Sequence, residues 1–236
     1  MNDRHILHSF EQSLEKLRRD FDVLGERTLE DLQYLRASLS EYDSEFAGRA
    51  AGESKKHRER VADLVRVCGD VRNKYHPVAR DLALVTSVDH AARHLERTVH
   101  QCAVIAKNAS RILGLGERPS LHSMLQLYAM AENELADALL AIRTGDARLA
   151  EAVRLRDREL DSRFVEEMEN VIREMTSSEN SVQVRVSLVF ILRAIERIGD
   201  HAKGMLAPLR ARGAGSEAED TAEDDVPAAD GAKEEK

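Results

Sequence analysis

An apolar periodicity of three and four residues, repeated through six long stretches, restricts this chain to helical folds. From Phe10 it runs through Leu14, Leu17, Phe21 and Leu24, then Leu35, Leu39, Tyr42 and Phe46. Such steps mark one amphipathic helix with a seam resembling that of a coiled coil. At 1.5 Å per residue it would be about 50 Å long, and it cannot bury that seam alone. Aromatic residues make up 4% of the 236 residues, Trp is absent and only four prolines occur, which argues against a β-sandwich or barrel.

A second helix is expected from near Ala50 to Lys74, with Val61, Leu64, Cys68, Val71 and Tyr75 on its apolar face. His76-Pro77 should end it, because proline disfavours helical geometry in the residue before it. The third runs to Ile112 through Leu84, Val88, Leu95, Val99, Cys102 and Ile105, and Gly114-Leu-Gly-Glu-Arg-Pro119 then punctuates the chain.

The scheme starts again after this break. Ser120 to Arg143 carries Leu121, Leu125, Tyr128, Leu135, Leu139 and Ile142, and Gly145-Asp146 reads as a turn with a helix-capping residue. A fifth helix reaches about Met175 through Val153, Leu160, Phe164, Met168 and Val171. After a loop at Ser177-Ser-Glu-Asn180, the sixth carries Val184, Leu188, Leu192, Ile195, Ile198, Ala202 and Met205. The expected architecture is all-α, a tandem duplication of a three-helix bundle over residues 1–113 and 120–212. Residues 213–236 should form a disordered acidic tail.

Of the formal net charge of -8, the tail carries -7, from nine acidic residues and two lysines, which leaves the body near neutrality. Arg and Glu are interspersed along the body and stacking aromatics are scarce, so no nucleic-acid face is expected. The longest apolar stretch, Val186 with Leu188 to Leu192, is too short to span a bilayer, and the N-terminus lacks an apolar run of signal-peptide length. Cys68 and Cys102 give no disulfide framework and are expected as buried core thiols, with Met168, Met175 and Met205 also in the core. A cytoplasmic location fits these features.

Polar residues repeat as well. Glu196-Arg-Ile-Gly-Asp200 places two carboxylates four residues apart on one helix face, and Glu96-Arg-Thr-Val-His100 places a carboxylate and an imidazole at the same spacing. Asp157 and Asp161 on the fifth helix, and Glu53 and His57 on the second, form two more such pairs. In an antiparallel hairpin, residues equidistant from the turn lie level. Glu53 and His100, and His57 and Glu96, share a pivot at His76-Pro77, whereas Asp157 and Asp200, and Asp161 and Glu196, share one at Ser178-Glu179. Each half would therefore hold four ligand-type side chains at one height, as in metal-binding bundles. The second set is all carboxylate and suits hard, oxygen-preferring ions; the first, with two histidines, suits iron, manganese or zinc.

The bland alternative is a solvated, salt-bridged face. With a third of the chain charged, such pairs arise by chance, and Arg97 and Arg197 could pair with neighbouring acids to little effect. A lone His57 on an apolar face would ordinarily be a hydrogen-bonded core residue; its company raises the expectation of a ligand. No nucleophile has a positioned base, and Gly114-Leu-Gly116 lacks the strand and spacing of a phosphate-cradling loop, so no enzymatic activity is expected.

The segments Arg193-Ala-Ile-Glu-Arg-Ile-Gly-Asp-His-Ala202, its weaker copy Arg93-His-Leu-Glu-Arg-Thr-Val-His100, and Pro77-Val-Ala-Arg-Asp-Leu82 resemble the PhoU family of phosphate-transport accessory regulators. The resemblance extends from about the first helix to Arg210. It implies a cytoplasmic, commonly dimeric protein of two three-helix bundles. Such a protein acts with a phosphate ABC transporter, through its ATPase subunit, and with a two-component sensor histidine kinase, to repress the phosphate-starvation response. It would touch the membrane only through these partners. It also implies a multinuclear metal cluster, chiefly of iron or zinc, with manganese less favoured. Glu196 and Asp200 match the metal motif directly, and Asp157 and Asp161 fit its partner helix. The first half departs from the pattern, because His100 stands where aspartate is expected; an altered site with His57, Glu53 and Glu96 is the resulting expectation. The rival readings are a metal-free helical adaptor, an accessory protein of a low-affinity phosphate permease, and a ferritin-like metalloprotein. The last would use Glu-x-x-His spacing, whereas both Glu/His pairs here are four apart.

Overall fold

The computed structural model describes residues 2–177 and 182–209, without the side chains of residues 2–6, 44, 46, 47, 49–54, 176 and 177. The tail, the pivot at Ser178-Glu179 and the side chains of Phe46 and Glu53 therefore lie outside the described residues. Six helices follow one another: α1 (Asn2–Glu41), α2 (Ser44–Tyr75), α3 (Ala79–Gly114), α4 (His122–Thr144), α5 (Ala147–Ser177) and α6 (Val182–Met205). Among the described residues there is no strand.

Helix α1 buries Leu14, Leu17, Phe21, Leu24, Leu32, Leu35 and Leu39 along one seam. Each buried Leu or Phe contributes roughly 1.5–3 kcal/mol relative to exposure, so the seam needs partners, and α2 and α3 supply them. The helix stops earlier than the periodicity suggests. Tyr42 takes a left-handed φ of 56°, and the Asp43 carboxylate accepts from the Glu45 N–H at 2.8 Å, capping α2 at Ser44. A local cap thus overrides an apolar pattern that runs on through Tyr42 and Phe46. At the other end of α2, His76 closes the helix in the left-handed conformation, its N–H bonded to the Arg72 carbonyl, and Pro77 follows.

The second half repeats the plan, with α4, α5 and α6 packed on one another. Gly145 (φ 73°) ends α4, and the Asp146 carboxylate accepts from the N–H groups of Arg148 and Leu149 at 2.9 and 3.0 Å. The halves join where α3 lies on α6 and α1 on α4. Two hydroxyls tie them across this junction: Tyr128 donates to the Leu32 carbonyl at 2.8 Å, and Tyr42 donates to the Pro119 carbonyl. One continuous apolar core runs through both halves. Cys68 and Cys102 are free and buried in it, and burial pushes the Cys68 thiol up to about 12. Met205 is fully buried, while Met168 and Met175 pack at its margin. Among the described residues, no helix is long and apolar enough to cross a membrane.

Candidate functional site

The α5–α6 hairpin brings Asp157, Asp161, Glu196 and Asp200 into mutual electrostatic reach. Burial raises the Asp161 carboxyl above the ordinary range, and the Asp157 and Asp200 charges raise it further against the pull of Lys203. Glu196 is raised the same way, by burial and then by the charge of Asp200, with Asp161 also contributing. These couplings place the four carboxylates in one electrostatic neighbourhood, the arrangement that the hairpin register implies.

Two further groups complete the cluster. Lys203, one turn beyond Asp200, donates to Asp157 and, at 3.0 Å, to Asp200. Burial alone would depress this ammonium, but the hydrogen bonds it gives to Asp157 and Asp200 overcome that effect and keep the group charged. Behind them stands Glu134 of α4, 2% exposed, with neither carboxylate oxygen hydrogen-bonded. Burial first and the Asp157 charge second raise its carboxyl to about 8, so it is mostly protonated at neutral pH. A Cβ on Gly199 would stand 3.1 Å from Glu134 Oε2 and 3.2 Å from Leu160 Cδ1; the glycine lets α4 and α5 close on α6 here.

Sequence spacing misses both Glu134 and Lys203. A signal for Glu134 exists: it is a carboxylate on the stripe formed by Leu127, Ala131 and Ala138, where an unpaired acid would otherwise be costly. An all-oxygen donor set with an orphaned buried carboxyl suits a hard cation in chemistry. In the present arrangement Lys203 supplies the compensating charge, and among the described residues no three His, Cys, Asp or Glu side chains stand together as a ready metal-holding group. A cation at this site must displace the ammonium.

The first half is built differently. His57 is 3% exposed and turns toward α1, not α3. Its Nδ1 lies 3.0 Å from Asp31 Oδ2, and its Nε2 lies 3.2 Å from the Leu24 carbonyl and 3.4 Å from Thr28 Oγ1. With one nitrogen against a carboxylate and the other against a carbonyl, both ring nitrogens are engaged on the α1 side. The expected level set of Glu53, His57, Glu96 and His100 is therefore not assembled at His57. The reason is physical: Asp31, 2% exposed on α1, requires partners, and the α2 histidine reaches one of its oxygens while Arg27 Nε stands 3.5 Å from the other.

Glu96 and His100 lie instead on a cleft of about 700 Å³ between α3 and α6, shared with Arg58, Arg97, Gln101, Arg197, Asp200 and His201. Beside it the two central helices meet through histidines. The ring centroids of His90 and His94 are 4.9 Å apart, and those of His94 and His201 are 5.8 Å apart. His90 Nε2 donates to the Gly204 carbonyl at 2.9 Å. Burial lowers His94 to about 4, and burial also lowers His201, with Arg97 and Arg197 adding to the effect and Asp200 opposing it. The His94 imidazole is therefore neutral at pH 7.

Fold and site together define an all-helical protein of two three-helix units, with a carboxylate cluster on its second outer hairpin. A PhoU domain matches residues 124–207, which covers α4 to α6. The phosphate-specific transport system accessory protein PhoU homolog of Pseudomonas putida is 26% identical over 202 residues, 85% of this chain and 79% of that protein. PhoU homolog 1 of Methanothermobacter thermautotrophicus is 27% identical over 195 residues, 82% of this chain and 89% of its own. The crystal structure of PhoU from Pseudomonas aeruginosa superposes with a TM-score of 0.81 at 22% identity, covering 86% of this chain and 99% of that one. Residues 124–207 thus match the PhoU domain, and along most of its length the chain is similar to PhoU proteins.

Proposed function

We propose that this chain is an accessory protein of a phosphate transport system that represses the phosphate-starvation response. It would couple the ATPase subunit of a phosphate ABC transporter to a sensor histidine kinase by protein contacts in the cytoplasm, as a homodimer and without catalysing a reaction. The observation that carries this reading is the match along most of the chain to proteins named phosphate-specific transport system accessory proteins. The near-neutral body of the sequence, with its mixed charges, suits docking to other proteins rather than to nucleic acid.

Asp157, Asp161, Glu196 and Asp200 are the proposed cation ligands, with Glu134 held in reserve behind them. A bound cation would supply positive charge that fixes α5 against α6; it need supply no reactive chemistry. The all-oxygen set favours a hard ion such as manganese or ferric iron over zinc. A metal-free adaptor is the second reading, favoured by the Lys203 ammonium between Asp157 and Asp200. The ferritin-like reading loses its support at His57, whose ring nitrogens are both engaged by α1.

Deleting the gene tests the proposal. Phosphate-starvation genes should be expressed in phosphate-rich medium, and wild-type copies should restore repression. Unchanged repression in the deletion strain would count decisively against the role.

A further inference from the structure

The cleft between α3 and α6 contains charge that the carboxylate site does not use. Arg58 comes from α2, Arg97 from α3 and Arg197 from α6, so both halves of the molecule contribute. All three are exposed, and none has a hydrogen bond or ion pair with any described residue. Elsewhere Arg27, Arg36, Arg66, Arg72, Arg93, Arg154, Arg156, Arg163 and Arg185 each engage a carboxylate. Their field reaches the neighbouring imidazoles: Arg97 disfavours protonation of both His94 and His201, and Arg197 does so at His201.

The lining decides the kind of ligand. Beside the guanidiniums are Glu96, His100, Gln101, Asp200 and His201, with no apolar side chain, so the cleft offers nothing to an acyl chain or a nucleobase. Three guanidiniums against two carboxylates select an anion, and the guanidinium fork matches tetrahedral oxyanions in two-point contacts. Glu96 and Asp200 then require a ligand that also donates a hydrogen bond, since a bare acceptor shell would be repelled by them. Hydrogen phosphate meets both demands, because it carries acceptor oxygens and a P–OH; sulfate at neutral pH has no proton to give.

We propose that the α3–α6 cleft is a binding site for a protonated phosphoryl group, held by Arg58, Arg97 and Arg197 with a carboxylate of the cleft accepting its hydroxyl. The group can arrive as free phosphate or on a small phosphomonoester, and the cleft has room for either. Seated there, the anion would bind α2 and α3 of one half to α6 of the other. The inference stands on the cleft and not on the transport role: a gene-deletion phenotype could fail while phosphate still binds, and the reverse.

The test is calorimetric titration of the full chain, stripped of metal by chelator, with inorganic phosphate, glycerol 3-phosphate and sulfate as probes. Saturable binding of at least one phosphate probe is expected, with sulfate at least tenfold weaker. Tighter inorganic phosphate identifies the free ion as the source, and tighter glycerol 3-phosphate identifies a monoester. The R97Q/R197Q variant, altered only at exposed side chains without partners, should bind the preferred probe at least tenfold more weakly, with an unchanged melting temperature in the absence of ligand. R97K/R197K should recover only part of the loss, because an ammonium lacks the fork. Absence of saturable binding by both phosphate probes, equal binding of sulfate, or unaltered binding by R97Q/R197Q would overturn the proposal.

Discussion

The Lys203 ammonium of α6 donates to the carboxylate of Asp157 on α5, a side chain only 3% exposed. This cross-hairpin pair holds charge where burial would otherwise forbid it, with Asp200 as the second acceptor at 3.0 Å.

Replacing Lys203 by Met keeps most of the apolar stem and removes the charge. Asp157 is then buried without its cation, and the loss should be about 2–4 kcal/mol, toward the low end because Lys203 is partly exposed. Urea denaturation at pH 7 measures it. The same variant should bind a hard divalent cation more tightly than the wild type, since the competing ammonium is gone. Unaltered stability together with unaltered cation affinity would show that Lys203 neither supports Asp157 nor guards the site.

Glu134 gives a pH signature. Its carboxyl has an ordinary value of 4.5 and is raised to about 8 in the folded chain, so the folded state holds a proton that the unfolded state releases. Between these values the native state binds more protons, and stability must fall as pH rises; the contribution is complete below about 4.5 and lost by about 8. A tenfold difference in proton affinity between the folded and unfolded states is worth about 1.4 kcal/mol. Glu134→Gln, which cannot ionise, should gain on the wild type as pH increases across that window. Parallel pH profiles for the two proteins would contradict the assignment.

His57 is a structural residue in this fold, so His57→Ala should cost about 2–3 kcal/mol, through the lost hydrogen bond and a buried Asp31 left with Arg27 alone, whose Nε stands 3.5 Å away. A double-mutant cycle with Asp31→Asn should show a coupling of at least about 1 kcal/mol, because each substitution removes the same contact. Additive losses would mean that the 3.0 Å approach contributes nothing.

At the junction of the halves, a Cβ on Gly204 would run into the His94 ring, standing 2.7 Å from its Nδ1. Gly204→Ala should therefore destabilise by about 1–3 kcal/mol despite the better helix propensity of alanine. Adding His94→Ala should return much of that loss, since the clashing ring is then absent. Thermal denaturation of the two single variants and the double variant decides it.

What the sequence discloses depends on the kind of interaction. The six helices follow from periodicity because each apolar stripe covers many residues, as in Leu14 to Leu39 of α1. Boundaries set by one side chain do not: Asp43 caps α2 ahead of Ala50, near which the apolar pattern opens a new helix. The α5–α6 carboxylates come from spacing alone, since the register of two consecutive, mutually packed helices sets which residues are level. That logic covers only sequential neighbours. His57 answers to Asp31 on α1, and Glu134 reaches the cluster from α4, so both depend on the third helix of their bundle. The cleft of Arg58, Arg97 and Arg197 lies further still from view, because it forms only where the two halves meet.

Titration of chelator-stripped protein with manganese, read by calorimetry, decides whether the second hairpin holds a cation. The wild type should bind saturably, Asp161→Asn/Glu196→Gln should lose that binding, and Glu96→Gln/His100→Gln in the first half should retain it. Binding that survives in the α5–α6 variant, or that vanishes with the α3 substitutions, would contradict the placement of the cation site on the second hairpin.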